Sequence, residues 1–560
     1  MKLRFWGAIL SLGVLSLAAT SHRSAAHEEA APSGGSEGTP VLLTGLGDFH
    51  RKITTNSEES QRYFDQGRVL LWAFDHEAAI RSFQHVVEVD PGCAMAWWGI
   101  AFAAGPNYNN PAMDDAANAL ACSAVTAAKA NVAGSTDVEK ALVRALETRY
   151  LDPAPEDRTP LDGAFADAMR EVWHAHPQDA DVGAWFAEAL MDTRPWDLWS
   201  MDGEPRPETP EILETLEAVL ALDPRHPLAN HLYIHALEAS TTPGKAEAAA
   251  DRLTDLVPGS GHLVHMPSHI YIRLGRYEDA IVANQKGIAA DLEHVKETGA
   301  DPFYTIYRAH NYHFLAYAAM FEGRRAVAME AARNLRAEIP DELVRAIPDF
   351  LDAFVAVPYH VMIRFGLWED VLAEPAPPAD FPVSTAFHHY ARTVAFAATG
   401  RVKEAEAERA LLEAAFANVP ESALIGNNTA LVVLELARPM ADGEIEYRKG
   451  NYEVAFANLR EAVRRDDELR YDEPWGWMQP TRHALGALLL EQGRLEEAEA
   501  VYRKDLQLHA NNGWALHGLA QCLEKAGKKD EAATVNAQFE KSWKRSDILI
   551  RASCYCATGA

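Results

Sequence analysis

Cysteine is scarce. The 560 residues include five, Cys93, Cys122, Cys522, Cys554 and Cys556, and an odd number at irregular spacing excludes a disulfide framework. Basic residues are outnumbered, 52 Lys and Arg against 81 Asp and Glu, for a formal net charge of −29. Such a surface repels phosphate backbones, so no nucleic-acid partner is expected. Beyond the N-terminus no stretch is apolar over the roughly 18 residues that a membrane helix needs, so the mature chain should have no membrane span. Strand-like alternation is also missing, which leaves helices. What remains, 48% hydrophobic and 24% charged residues, is an ordinary globular composition and excludes wholesale disorder.

The N-terminus reads as a processing segment. "MKLR" is a positive start, "FWGAILSLGVLSLAA" an apolar run too short to span a bilayer, and small residues follow at Ala18, Ala19, Ala25 and Ala26. A signal peptide over 1–26 implies secretion across the inner membrane, to the periplasm or the extracellular space. Residues 27–55 open with a Gly/Ser/Pro-rich run and are expected to be a linker.

The rest carries an internal repeat. "YFDQGRVLLWAFDHEAAIRSFQHVVEVDP" places Gly67, Ala79, Phe83 and Pro91 at offsets that recur as Gly486, Ala498 and Tyr502, and a further copy carries Trp514, Gly518 and Ala532. Ala498 and Ala532 lie one period apart, about 34 residues. Weaker copies keep the turn: "RLGRYEDAI", "FEGRRAVAM", "RFGLWEDVL", "ATGRVKEAE" and "RKGNYEVAF". Each unit is a pair of antiparallel helices; Gly or Ala permits close approach and a large residue of the second helix fills the gap. No pair buries its apolar face alone, so units stack. On these residues the chain resembles the tetratricopeptide repeat superfamily over most of its mature length. The resemblance implies an all-α, TPR-like helical-hairpin solenoid, a right-handed superhelix. The expected division is N-terminal units over 56–160, central units over 161–375, C-terminal units over 376–547 and a Cys-x-Cys tail over 548–560. "HLVHMPSHIYIRLGRY", "WWGIAFAAGPNYN" and "PWDLW" also resemble exported bacterial repeat proteins of unsettled activity.

Histidine is concentrated in the central units. In the superfamily the second, fifth, ninth, twelfth and thirteenth positions of the first helix line the concave face. Counted back from Gly275, His262, His265 and His269 fall on the second, fifth and ninth. The same register puts His231, His235 and Glu238 on that face, followed by His310, His313 and His360, with Glu188 and Asp192 contributed by an earlier unit. Residues three and four apart share a helix face, so each set forms a one-sided row. Mixed imidazole and carboxylate donors suit zinc, copper or iron, whereas calcium and magnesium take oxygen cages. "HLYIH" has Leu232 where a zincin protease has Glu, which excludes that class.

The expected metal ligands are therefore His231, His235, Glu238, His262, His265, His269, His310 and His313, with Glu188 and Asp192 as catalytic acids or bases. The insertion "MDTRPWDLWSMDGEPRPETPEI" offers Arg194, Trp196 and Trp199, with His360, as ligand-binding residues, and "YDEPWGWMQPTRH" is a second insertion before His483. Asn107, Asn109 and Asn110 are read as turn chemistry. The terminal Cys-x-Cys either binds a soft metal, closes as a disulfide or frays. Three functions stay open: a metal-dependent hydrolase or oxidoreductase acting on a small molecule, a scaffold for peptide or protein partners, and metal storage or delivery.

Overall fold

A computed structural model describes residues 40–299 and 302–557; the expected signal peptide lies outside them. Nearly every described element is a helix, the exception being the short pair Leu424–Ile425 and Asn428–Thr429. The chain divides into two compact units, one from residues 40–196, 214–228 and 296–299, the other from 197–213, 229–295 and 302–557.

The repeat chemistry is visible in the first unit. Helices α1 (Glu58–Trp72), α2 (His76–Val89) and α3 (Ala94–Ala103) pack through Phe83 of α2. A Cβ at Gly67 or at Gly99 would lie 2.7 Å from the Phe83 ring, so glycine on both flanking helices is what admits the phenyl group. Helix α4 (Ala180–Asp192) meets its neighbours in the same way, since a Cβ at Gly183 would lie 2.5 Å from Val219 and 2.8 Å from Trp173. Residues 40–55, the end of the expected linker, are tied to this unit. Ile53 is buried, and Arg51 donates to Asp179 at 2.7 Å and Asp181 at 3.0 Å.

In the second unit the histidine-bearing helices come first: α5 (Pro227–Glu238, from Ala229 onward), α6 (Gly261–His265), α7 (Pro267–Arg273), α8 (Tyr277–Thr298, up to Val295) and α9 (Pro302–Phe321). Further along, α10 (Ala430–Arg448) leads to the repeat formed by α11 (Thr481–Glu491), α12 (Leu495–Leu508) and α13 (Gly513–Lys525). There Tyr502 of α12 fills the gap, with Cβ positions at Gly486 and Gly518 falling 2.6 and 2.3 Å from its ring. The C-terminal segment is packed rather than frayed: Ser553 and Cys556 are buried, and the Tyr502 and Ser553 hydroxyls lie 2.7 Å apart.

Candidate metal centre

The row "GHLVHMPSH" does not run as one helix. Pro267 has no N–H to continue the ladder and takes the first turn of α7, so His262 and His265 sit on α6 and His269 on α7. Gly261 and Gly287 let α6 approach α8: a Cβ at Gly287 would lie 2.8 Å from the Gly261 carbonyl, and one at Gly261 would strike Asp291. That contact delivers Asn284 of α8 to His265. On the other side Arg273 of α7 donates to the carbonyls of Glu238 and Ser240, which fixes α7 against the C-terminal end of α5.

Three groups of potential ligands result, each with ligand atoms within 4.8 Å of one another: His231, His235 and His262; His265, His269 and His310; and His235, Glu238 and Glu473. Glu238 joins them. One oxygen accepts from His235 Nδ1 at 2.7 Å and the other from His269 Nδ1 at 2.6 Å. Glu473 lies 2.9 Å from the same His269 nitrogen. A carboxylate on Nδ1 fixes the tautomer and turns Nε2 into the lone-pair donor, the usual outer-sphere arrangement around a metal-binding histidine.

The His265–His269 pair is the most informative. Asn284 Nδ2 donates to the Ala280 carbonyl at 2.7 Å, so its Oδ1 faces His265 Nδ1, also at 2.7 Å, and must accept. His265 therefore carries its proton on Nδ1, and ionised glutamates place that of His269 on Nδ1 as well. Their Nε2 atoms nevertheless face each other at 2.8 Å. Imidazoles in these tautomers oppose lone pair to lone pair, an arrangement that a shared cation between them resolves. The second group repeats the approach, with His231 Nε2 and His262 Nε2 3.1 Å apart. Metal–nitrogen bonds of about 2.0–2.1 Å are compatible with donors at such separations.

Electrostatics favour the neutral donor form. His235, His262, His265 and His310 are all held well below the ordinary imidazole range, first by burial and then by neighbouring imidazoles. Glu238 is pushed well above the carboxylate range by burial and then by Glu473. A multivalent cation relieves both conditions: it takes the lone pairs and stabilises the buried carboxylates. Phe314 packs against His265, His269 and His310, and Tyr307 packs against His262.

The other expected residues are distributed differently. His313 of α9 contacts Met478 Sδ at 3.3 Å and packs on Phe354, and His360 packs between Phe387 and Trp477. Neither shares a ligand group with the cluster. Glu188 and Asp192 belong to the first unit, where Arg149 donates to Asp192 at 2.7 Å. Burial pushes Asp192 up to about 7 against the pull of Arg149, and Glu188 well above the usual range, by burial and then by Asp192. Trp196, also in the first unit, packs on Tyr108 with ring centroids 5.0 Å apart, and the Arg194 N–H caps α4 at the Met191 carbonyl. Trp199, in the second unit, donates its indole N–H to the Ala236 carbonyl at 2.8 Å. The Asn107 side chain accepts from the backbones of Asn109 and Asn110, as a turn requires. A cleft of about 870 Å³ in the first unit is lined by Arg51, Arg68, Asp179, Asp181 and His226 among others. Its buried Asp181 already accepts from Arg51, Arg68 and His226.

Glu473 was not among the expected ligands. It lies in the insertion before α11, outside any helix, where a repeat register assigns no face. The signal available was positional: a carboxylate in a Pro-flanked break of the period.

Comparisons with known proteins support the repeat reading. A tetratricopeptide repeat family model matches residues 489–538. Among solved structures the chain is similar to the human IFIT1 dimer with m7Gppp-AAAA, at 12% identity and a TM-score of 0.32, covering 88% of this chain and 91% of that one. It is also similar to the APC/C hetero-tetramer Cut9-Hcn1, at 11% identity and a TM-score of 0.26, covering 88% and 95%. Likeness at that level carries no argument about ligand or partner. No curated protein matches the sequence.

Proposed function

Taking as premise that the chain carries tetratricopeptide repeats, we propose that it is a metalloprotein whose second unit holds a transition-metal centre in two adjacent three-histidine groups linked by Glu238. The observation that carries this reading is the opposition of His265 Nε2 and His269 Nε2 at 2.8 Å with both Nδ1 atoms already committed. Imidazole nitrogen with carboxylate oxygen is the donor set of zinc, copper(II) or iron. A bound ion with an open position supplies Lewis-acid or redox chemistry. Around it, Glu238 and Asn284 hold the imidazole tautomers, Glu473 adds a carboxylate, and Phe314 limits water. On this reading the activity is that of a metal-dependent hydrolase or oxidoreductase working on a small molecule, in the periplasm or outside the cell, where the N-terminal segment would direct the chain.

Metal analysis of the purified full chain beside H265A/H269A tests it. The reading expects at least one transition-metal ion per wild-type chain and a loss of about half or more in the variant. Equal and negligible content in both overturns it. A scaffold without metal chemistry is the rival, since repeats of this type commonly bind peptides; it expects one stoichiometric protein partner to be recovered with metal-stripped chain.

A further inference from the structure

A second cluster, sharing no residue with the histidines, sits where the C-terminal segment meets α10. Cys554 and Cys556 form a disulfide, and one oxygen of Glu444 lies within 4.8 Å of both sulfurs. Glu444 is 1% exposed, and its Oε2 makes no hydrogen bond; the nearest cation is Arg448, one helical turn on, at 4.0 Å. The buried carboxylate thus has the two sulfurs and Arg448 as neighbours. The segment is held from both sides independently of the S–S bond. Arg364 Nη2 donates to the Ser553 carbonyl at 2.6 Å, the Ser553 hydroxyl donates to the His483 carbonyl at 2.8 Å, and Arg448 donates to the Cys556 carbonyl. Opening the disulfide therefore leaves both thiols against Glu444.

We propose that Glu444, Cys554 and Cys556 form a reduction-gated zinc site, closed as the disulfide and opened when an external dithiol reduces it. In the gating step the external dithiol gives up two electrons and two protons and becomes a disulfide. The Sγ–Sγ bond breaks and each sulfur takes one electron and one proton. Zinc then displaces the two thiol protons and binds two thiolates and the Glu444 oxygen, with water completing four-coordination. Two thiolates with one carboxylate favour zinc over copper(I), which prefers all-sulfur surroundings.

Cobalt(II), which reports thiolate ligation by an intense near-ultraviolet charge-transfer band, is the probe. The full chain is titrated with cobalt and then competed with zinc, as purified and after phosphine reduction, in wild type, C554S/C556S and E444Q. The proposal expects the band only in reduced wild type, its absence in C554S/C556S, and an affinity lower by at least about tenfold in E444Q. Retention of the native helical spectrum by E444Q separates ligand loss from misfolding. No band in the reduced wild type, a band persisting in C554S/C556S through the other cysteines, or unchanged affinity in E444Q overturns it. The histidine centre has no thiolate and is silent in this band, so the two sites fail or stand separately.

Discussion

Asn284 decides which nitrogen of His265 is left to act as a ligand in the proposed centre, because its own amide is committed to the Ala280 carbonyl. Glu238 does the same for His235 and His269 together. E238Q keeps the shape but turns one acceptor oxygen into a donor, so it should lower metal affinity by about 10–100-fold, read by competition with a chromophoric chelator. Elsewhere a histidine acts through stability. His388 is buried, with Nδ1 2.7 Å from the Tyr359 hydroxyl, and burial followed by the charges of His389 and Arg392 lowers its pKa from 6.5 to about 4. A depressed folded pKa means that its stabilising effect is complete above about pH 6.5 and is lost as the pH falls through about 4. The thermal midpoint should fall across that window, and less steeply in H388Q, which cannot protonate. At this scale the sequence showed the imidazoles and Glu238, but neither Asn284 nor Glu473. Asn284 is an unremarkable residue on a second helix, and Glu473 lies outside the period altogether.

Helix pairs explain why glycine is needed where propensity argues against it. Alanine at Gly67 would gain about 1 kcal/mol of helix propensity. Its Cβ, however, would meet the Phe83 ring at 2.7 Å, and Gly99 pins that ring from the other side at the same distance. G67A should therefore destabilise the chain by about 1–3 kcal/mol, the usual cost of overpacking, measured by urea denaturation. A stabilised variant would contradict the packing account. These hairpins were legible because a small residue, a large residue and a turn glycine recur at fixed offsets. Pro267 divides the helix that carries His262, His265 and His269, yet their rings stay neighbours, with centroids 6.1 Å apart for His262 and His265 and 4.7 Å for His265 and His269. The register count also put His313 among the ligands, and it shares no ligand group with the cluster. Register states which face a residue occupies, not how far along the array its neighbours lie.

Across the molecule, the histidine groups belong to the second unit alone, drawing on residues 231–238, 262–269, 310 and 473. Stripping the metal should lower the stability of that unit by RT ln(1 + [L]/Kd), about 2.7 kcal/mol when free metal had stood at 100 times Kd. Hydrogen exchange after chelation should therefore quicken over α5, α6, α7 and the segment around Glu473. A uniform change over the whole chain would point to a general effect of the chelator instead. The net charge of −29 adds a long-range attraction for cations that salt should weaken.

X-ray absorption at the K-edge of the metal bound to the oxidised full chain is the most direct test of the centre. The account predicts a first shell of nitrogen and oxygen at about 2.0–2.1 Å, with the outer-shell scattering of several imidazoles and no sulfur. A shell dominated by sulfur, or one without imidazole scattering, would contradict it.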